Sequence, residues 1–85
     1  MHHFIKVIHQ DHDPVFRLLL EKPLWLAILI LGAQRTWQYS KPSPEGLAQG
    51  EFKLSHNDYS IFGFSKAEKK RLNRAIQGLI KYGLL

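Results

Sequence analysis

The sequence predicts a small, mainly α-helical domain with a minimal β component, built around three helices. Three observations carry this prediction. Leu72, Ala75, Ile76, Leu79 and Ile80 fall at i, i+3, i+4, i+7 and i+8, the apolar stripe of an amphipathic helix. Residues 24–31 are an unbroken apolar run that continues through Gly32 and Ala33, too long for one strand and suited to a buried helix. Only residues 51–55 alternate clearly with the period of two that a half-buried strand requires. At 85 residues there is room for one core, which excludes a TIM barrel, a full dinucleotide-binding fold and any multi-domain enzyme. The 45% hydrophobic content is enough for that one core. No cysteine is present, so a disulfide framework, a cysteine-based zinc site and a thiol nucleophile are excluded.

The first 13 residues read as a lead-in to a domain over residues 14–85. Phe4, Ile5, Lys6, Val7 and Ile8 are β-prone and partly alternating, suited to an added strand or a dimer contact. His9 and His12, flanked by Asp11 and Asp13, have a spacing open to metal binding. Zinc normally needs three or four ligands held by structure, so a polar lead-in is the expectation, with no metal and no cofactor. The start lacks a basic segment followed by an apolar one, so no signal peptide is read. Together with the absence of cysteine, this leads to an expected cytoplasmic location.

Asp13 and Pro14 read as an N-cap and a first helical residue, opening a short helix or turn over residues 15–21. Pro23 suits the first turn of the main apolar helix, which fades between Arg35 and Gln38 with Trp37 and Tyr39 packed beside it. The ten apolar residues fall short of the ~20 a bilayer requires, so a core helix is expected and membrane insertion is not. Residues 40–46, with two prolines, two serines and a glycine, are the clearest loop. Phe52 and Leu54 then alternate with Glu51, Lys53 and Ser55 as a short strand. Ser55 or Asn57 caps a short helix reaching about Phe62, and Gly63 and Phe64 turn. Ser65, Lys66, Ala67 and Glu68 form a capping box, S-x-x-E, opening the most regular helix, at about 65–82. Tyr82 ends it and Gly83 takes the C′ position. Leu84 and Leu85 would begin a strand.

Charge is concentrated on that last helix. The chain carries 12 Lys and Arg against 7 Asp and Glu, a formal charge of +5. Residues 65–82 hold six of the basic residues and only Glu68 among the acidic ones, so they account for the whole excess. On a helical wheel Lys70, Arg71, Arg74, Gln77, Gly78 and Lys81 lie opposite the apolar stripe, with Lys66 and Asn73 on its flank. A helix that needs only solubility usually mixes signs at i, i+4. Lys and Arg at this density neutralise phosphates and release counterions, and Arg, Asn and Gln read base edges. The competing explanation is a solvated basic face with no partner. Gly78 is costly in mid-helix, by ~1 kcal/mol against Ala. It implies a close backbone approach, either to a partner or within the protein.

A short strand, a short helix, a glycine-containing turn and a capped basic helix make a helix-turn-helix arrangement, with the helix from Leu24 as the third wall of the core. In that geometry the last helix enters the major groove with Ser65, Lys66, Lys69, Lys70, Asn73 and Arg74 leading.

The residues Gly50-Glu51-Phe52-Lys53-Leu54-Ser55, then Tyr59, then Gly63-Phe64-Ser65, then the run from Arg71 through Ala75-Ile76, Leu79 and Gly83-Leu84-Leu85, carry a resemblance. Over about residues 14–85 the chain resembles the winged helix-turn-helix domains of phage, plasmid and mobile-element replication and regulatory proteins. The shared pattern is a G-[EQ]…S strand, a short helix, a G-hydrophobic-S turn and a helix ending A-I-x-x-L-x-x-x-G-L-[LI]. The apolar helix containing Trp25 and Ala33 is similar to the first helix of that family.

The resemblance implies duplex DNA binding in replication initiation or transcriptional regulation, by a homodimer or a larger assembly. The residues implied are Lys53, Ser65, Lys66, Lys69, Lys70, Asn73, Arg74, Gln77 and Lys81. Family members continue past G-L-L into a two-stranded wing. This sequence stops at Leu85, so the wing is expected to be truncated or absent. No catalytic pair, phosphate loop or H-E-x-x-H motif is present, and no enzymatic activity is expected. Two other roles compete. One is an interaction module that binds a protein or dimerises through its apolar N-terminal half, favoured by apolar exposure around Phe16, Leu20 and Trp25. The other is a basic helix lying on a membrane surface.

Overall fold

The computed structural model of the chain describes residues 2–6 and 12–85. Val7 and Ile8 of the β-prone stretch, and the pairing of His9 with His12, lie outside the described residues. The elements are β1 (His2–Phe4), α1 (His12–Glu21), α2 (Pro23–Arg35), β2 (Glu51–Lys53), a 3-10 helix (His56–Phe62), a 3-10 turn (Lys66–Glu68) and α3 (Lys69–Lys81). Among the described residues the molecule is mainly helical, with one two-stranded sheet.

α1 is a full ten-residue helix where the sequence suggests a short helix or turn. It starts at His12, so Asp13 lies inside the helix instead of capping it, and Pro14 remains in the first turn, where a missing N–H costs nothing. Val15 and Leu19, one turn apart, both bury in the core and hold the helix down. Lys22 makes the corner to α2: its N–H donates to the Leu19 carbonyl, and its own carbonyl accepts from Leu26 N–H, both at 3.2 Å. Pro23 then opens α2, as the sequence predicts. Ile28, Leu29 and Gly32 are the buried face of α2. At Gly32 an added Cβ would lie 2.5–2.8 Å from three ring atoms of Phe52, so the glycine lets β2 press its aromatic ring against the helix backbone.

The sheet is antiparallel, with His2 opposite Lys53, His3 opposite Phe52 and Phe4 opposite Glu51. β1 therefore begins two residues ahead of the β-prone stretch that predicts it. Past β1, Lys6 N–H donates to the Leu84 carbonyl at 2.9 Å. The other edge of β2 is also occupied. Trp37 exchanges backbone bonds with Glu51 and Gly50 at 2.8 and 2.7 Å, and the Arg35 guanidinium donates to the Lys53 carbonyl at 3.2 Å. Trp37 does not lie along α2 as expected. Its indole N–H donates to the Lys41 carbonyl at 2.7 Å and its ring meets Tyr39 edge-on at 5.0 Å, so this pair secures the proline-rich loop, with Tyr39 exposed. Within that loop the buried Ser43 hydroxyl accepts from Leu47 N–H at 2.9 Å and carries Leu47 into the interior.

Ile28, Phe52, Leu54, Leu72, Ile76 and Leu79 have no exposed surface and form the centre of the core. The C-terminus of α3 closes on it through a Schellman motif. Gly83, at φ 77°, donates to the Ile80 carbonyl at 3.0 Å, and Leu84 N–H donates to the Leu79 carbonyl at 2.9 Å. Leu84 and Leu85 are buried but form no strand; only the bond from Lys6 continues the ladder.

Candidate nucleic-acid interface

Two successive caps build the surface around α3. Ser55, in an extended conformation, accepts at its hydroxyl from Asn57 N–H at 3.2 Å, and its own N–H donates to the Asp58 carboxylate at 3.0 Å. Asp58 also takes an ion pair from Arg35 at 3.3 Å, which ties the end of α2 to the start of the 3-10 helix. Gly63, at φ 74°, stops that helix, its N–H donating to the Ser60 carbonyl at 3.1 Å. The chain then re-enters helix at Ser65, whose N–H donates to Glu68 Oε1 at 2.9 Å, the returning arm of the predicted capping box. Hydrogen bonds from the Ser65 backbone N–H, and then from its hydroxyl, hold the Glu68 carboxyl below the ordinary carboxylate range. The predicted helix over 65–82 is thus a 3-10 turn followed by the α-helix proper.

Leu72, Ala75, Ile76 and Leu79 anchor one face of α3 in the core, so the rotation of the helix about its own axis is fixed. Lys70, Asn73, Arg74, Gln77 and Lys81 are consequently held exposed on the opposite face, and Ser65 and Lys66 are exposed on the turn that leads into it. The ion pairs among the described residues join Arg35 to Asp58 and Arg71 to Glu68, and His2 Nδ1 lies 3.8 Å from Glu51. None of these takes Lys66, Lys70, Arg74 or Lys81. The cationic row therefore faces solvent, and Glu68, the acidic residue of the same segment, is engaged with Arg71.

The remaining predicted residues behave differently. Lys69 is half-buried, donates to Asn57 Oδ1 at 3.2 Å and lies 5.2 Å above the Tyr59 ring, so it fastens α3 to the 3-10 helix. Lys53 is exposed on β2, away from the row. It borders a separate hollow of about 660 Å³ with Arg35, Trp37, Ser55 and Asp58. Arg71 turns to the other flank, where its guanidinium covers the Phe64 ring at 5.0 Å. Gly78 belongs to an internal contact: an added Cβ would lie 2.5 Å from the Trp25 ring, which also meets Tyr82 edge-on at 5.3 Å.

A shallow groove of about 530 Å³ runs between the 3-10 helix and α3, lined by His56, Lys66, Ala67, Lys69, Lys70 and Asn73. His56 and Ala67 line this groove without being among the residues the sequence predicts for the interface. His56 stands directly after the Ser55 cap and is exposed. Among the described residues no three His, Asp or Glu gather as a metal site, and no helix is long and apolar enough to cross a membrane. Comparison of the chain with protein-family models, with curated proteins and with solved structures gives no match.

Proposed function

We propose that this chain is a non-enzymatic duplex-DNA-binding domain of the winged helix-turn-helix type, with α3 as its recognition helix, acting in replication initiation or transcriptional regulation of a mobile element. The observation that carries the proposal is the exposed row of Lys66, on the turn leading into α3, and Lys70, Arg74 and Lys81, on its solvent face, outside the ion pairs among the described residues and interleaved with Asn73 and Gln77. Cations in a row neutralise successive phosphates, and the amides between them have the donor and acceptor pairs that read adenine edges. The 3-10 helix takes the place of the helix that crosses the backbone, and Lys69 holds it against α3. Lys53, remote from the row, is at most a flanking phosphate contact in this reading.

Fluorescence anisotropy with a labelled duplex at two salt concentrations is the test. With four phosphates neutralised, affinity falls by about 10²-fold between 50 and 200 mM salt. The double variant Lys70→Glu, Arg74→Glu abolishes binding while the circular dichroism of the fold is retained. Absence of binding at ~50 mM salt, where counterion release is strongest, overturns the proposal.

A further inference from the structure

The groove between the 3-10 helix and α3 brings three free donors to one place. His56 comes from the start of the 3-10 helix, Lys66 from the 3-10 turn and Lys70 from the first turn of α3. All three are exposed, and their side chains enter no hydrogen bond, ion pair or ring contact among the described residues. The two walls are tied to each other, because Lys69 donates to Asn57 Oδ1 at 3.2 Å and lies over the Tyr59 ring. The separation of the walls is thus set by the fold before any ligand arrives.

The charges around the groove select its occupant. No carboxylate lines it. The carboxylates of the same segments are used elsewhere: Asp58 holds Arg35 and the Ser55 N–H, and Glu68 holds Arg71 and the Ser65 N–H. Across the groove His56 therefore meets the ammonium groups of Lys66, Lys69 and Lys70 and the amide of Asn73. Ammonium groups gathered in this way draw an anion, and a protonated imidazole among them is favoured when that anion lies between. A tetrahedral phosphate presents oxygens in several directions and can accept from both walls at once, whereas a carboxylate offers two oxygens in one plane. Lys66 and Lys70 belong both to the groove and to the row that continues through Arg74 and Lys81, so a ligand with phosphates in series occupies both. We propose that this groove seats one phosphate group between His56, Lys66 and Lys70, and that the phosphate belongs to a nucleic-acid backbone. The phosphate's source rests on the reading of α3 as a DNA-binding helix; the seat itself does not. His56 is then a pH-dependent phosphate ligand. Neutral, it donates one hydrogen bond; protonated, it adds a further cation to the row.

Fluorescence anisotropy with a labelled duplex, at pH 8 and pH 6 and at two salt concentrations, tests the proposal on the full chain and on His56→Gln, an exposed substitution that leaves the circular dichroism unchanged. The affinity of the wild type is expected to rise about three- to tenfold from pH 8 to pH 6, and its salt dependence to steepen by about one phosphate. His56→Gln binds at pH 8 within about threefold of the wild type and loses both changes, although the other histidines remain. Pyrophosphate tests the groove without nucleic acid, followed by the imidazole resonance that His56→Gln deletes from the NMR spectrum. That resonance moves with pyrophosphate and not with citrate, which carries a similar charge on carboxylates. A duplex affinity whose pH response is the same in His56→Gln as in the wild type overturns the proposal and leaves the DNA-binding role of α3 intact. Absence of duplex binding at ~50 mM salt, with pyrophosphate still moving His56, keeps the phosphate seat and overturns its nucleic-acid source. A His56 resonance indifferent to both duplex and pyrophosphate, or moved equally by citrate, overturns the seat itself.

Discussion

Gly32 and His3 show how much of this structure is decided by single side chains around Phe52. Replacing Gly32 with Ala improves helix propensity by about 1 kcal/mol, but the new methyl would sit 2.5 Å from a ring that has no free surface to retreat into. Overpacking of this kind costs about 1–3 kcal/mol, so Gly32→Ala is expected to lower the urea midpoint; a raised midpoint would show that the ring has room. His3 meets the same ring at 5.7 Å, tilted by 43°, with its Nε2 buried and unpartnered. Burial pushes the imidazole below its ordinary value, with the Leu54 carbonyl pulling the other way. The sign follows: the folded state prefers neutral His3, while the unfolded chain takes up the proton near pH 6.5. Its contribution to stability is therefore whole above that pH and is lost as pH falls further. A thermal melt repeated from pH 7.5 to pH 5 should show a falling Tm, and His3→Leu should flatten the profile although the other histidines remain. None of this was legible in the sequence. A histidine and a glycine 29 residues apart carry no pattern that brings both to one ring.

At the scale of elements, α3 was legible almost to its ends. A strong apolar period, a cap at each terminus and a one-sided charge distribution all specify the same helix, and agreement between local signals is what makes a segment readable. The segment over residues 56–62 was legible as a helix but not as a 3-10 helix. Asn, Asp, Ser and Ile are indifferent helix formers, no residue of the segment is buried, and both ends are pinned by caps, so a tighter spiral that spans the same gap is favoured. Loss of one pin should therefore be felt: Ser55→Ala is expected to destabilise the fold by about 1 kcal/mol in denaturant titration, and no change would assign the pinning to Asp58 alone. The element scale also separates lysines that sequence reasoning grouped together. Lys70→Ala and Arg74→Ala should each reduce the salt dependence of DNA affinity by about one phosphate and, by relieving like-charge repulsion, leave Tm unchanged or slightly raised. Lys69→Ala should instead lower Tm, because it removes the bond to Asn57 and the contact with Tyr59. The opposite ordering in paired anisotropy and melting experiments would reassign Lys69 to the interface.

The molecule divides into an apolar part made by α1 and α2 and a cationic part made by α3, which meet directly where Trp25 packs on Gly78. That division was visible in the sequence as composition, since the +5 excess resides in residues 65–82. What composition could not supply was the sheet. The strand starts at His2, ahead of the β-prone stretch, with His3 opposite Phe52, a register that local propensity alone does not specify. The division also predicts a response to salt that few small domains show. Lys66, Lys70 and Arg74 are like charges one turn apart, each pair costing about 0.2–0.5 kcal/mol at low ionic strength. Screening relieves that cost, so raising NaCl from 20 to 200 mM should raise Tm by a few degrees, on the scale of 4–8 °C per kcal/mol. The same change weakens DNA binding. A Tm that falls with salt would mean that favourable ion pairs outweigh the repulsion on α3.

The indole of Trp25 rests in the notch left by Gly78, edge-on to Tyr82 and beneath the ammonium of Lys22 at 5.4 Å. It is thus an optical gauge built into the joint between the two halves. Trp37, held in the proline-rich loop, supplies a second and independent signal. A ligand on α3 that tilts it against α2 will alter the emission of Trp25 with no label attached. A Trp37→Phe chain would report that tilt alone.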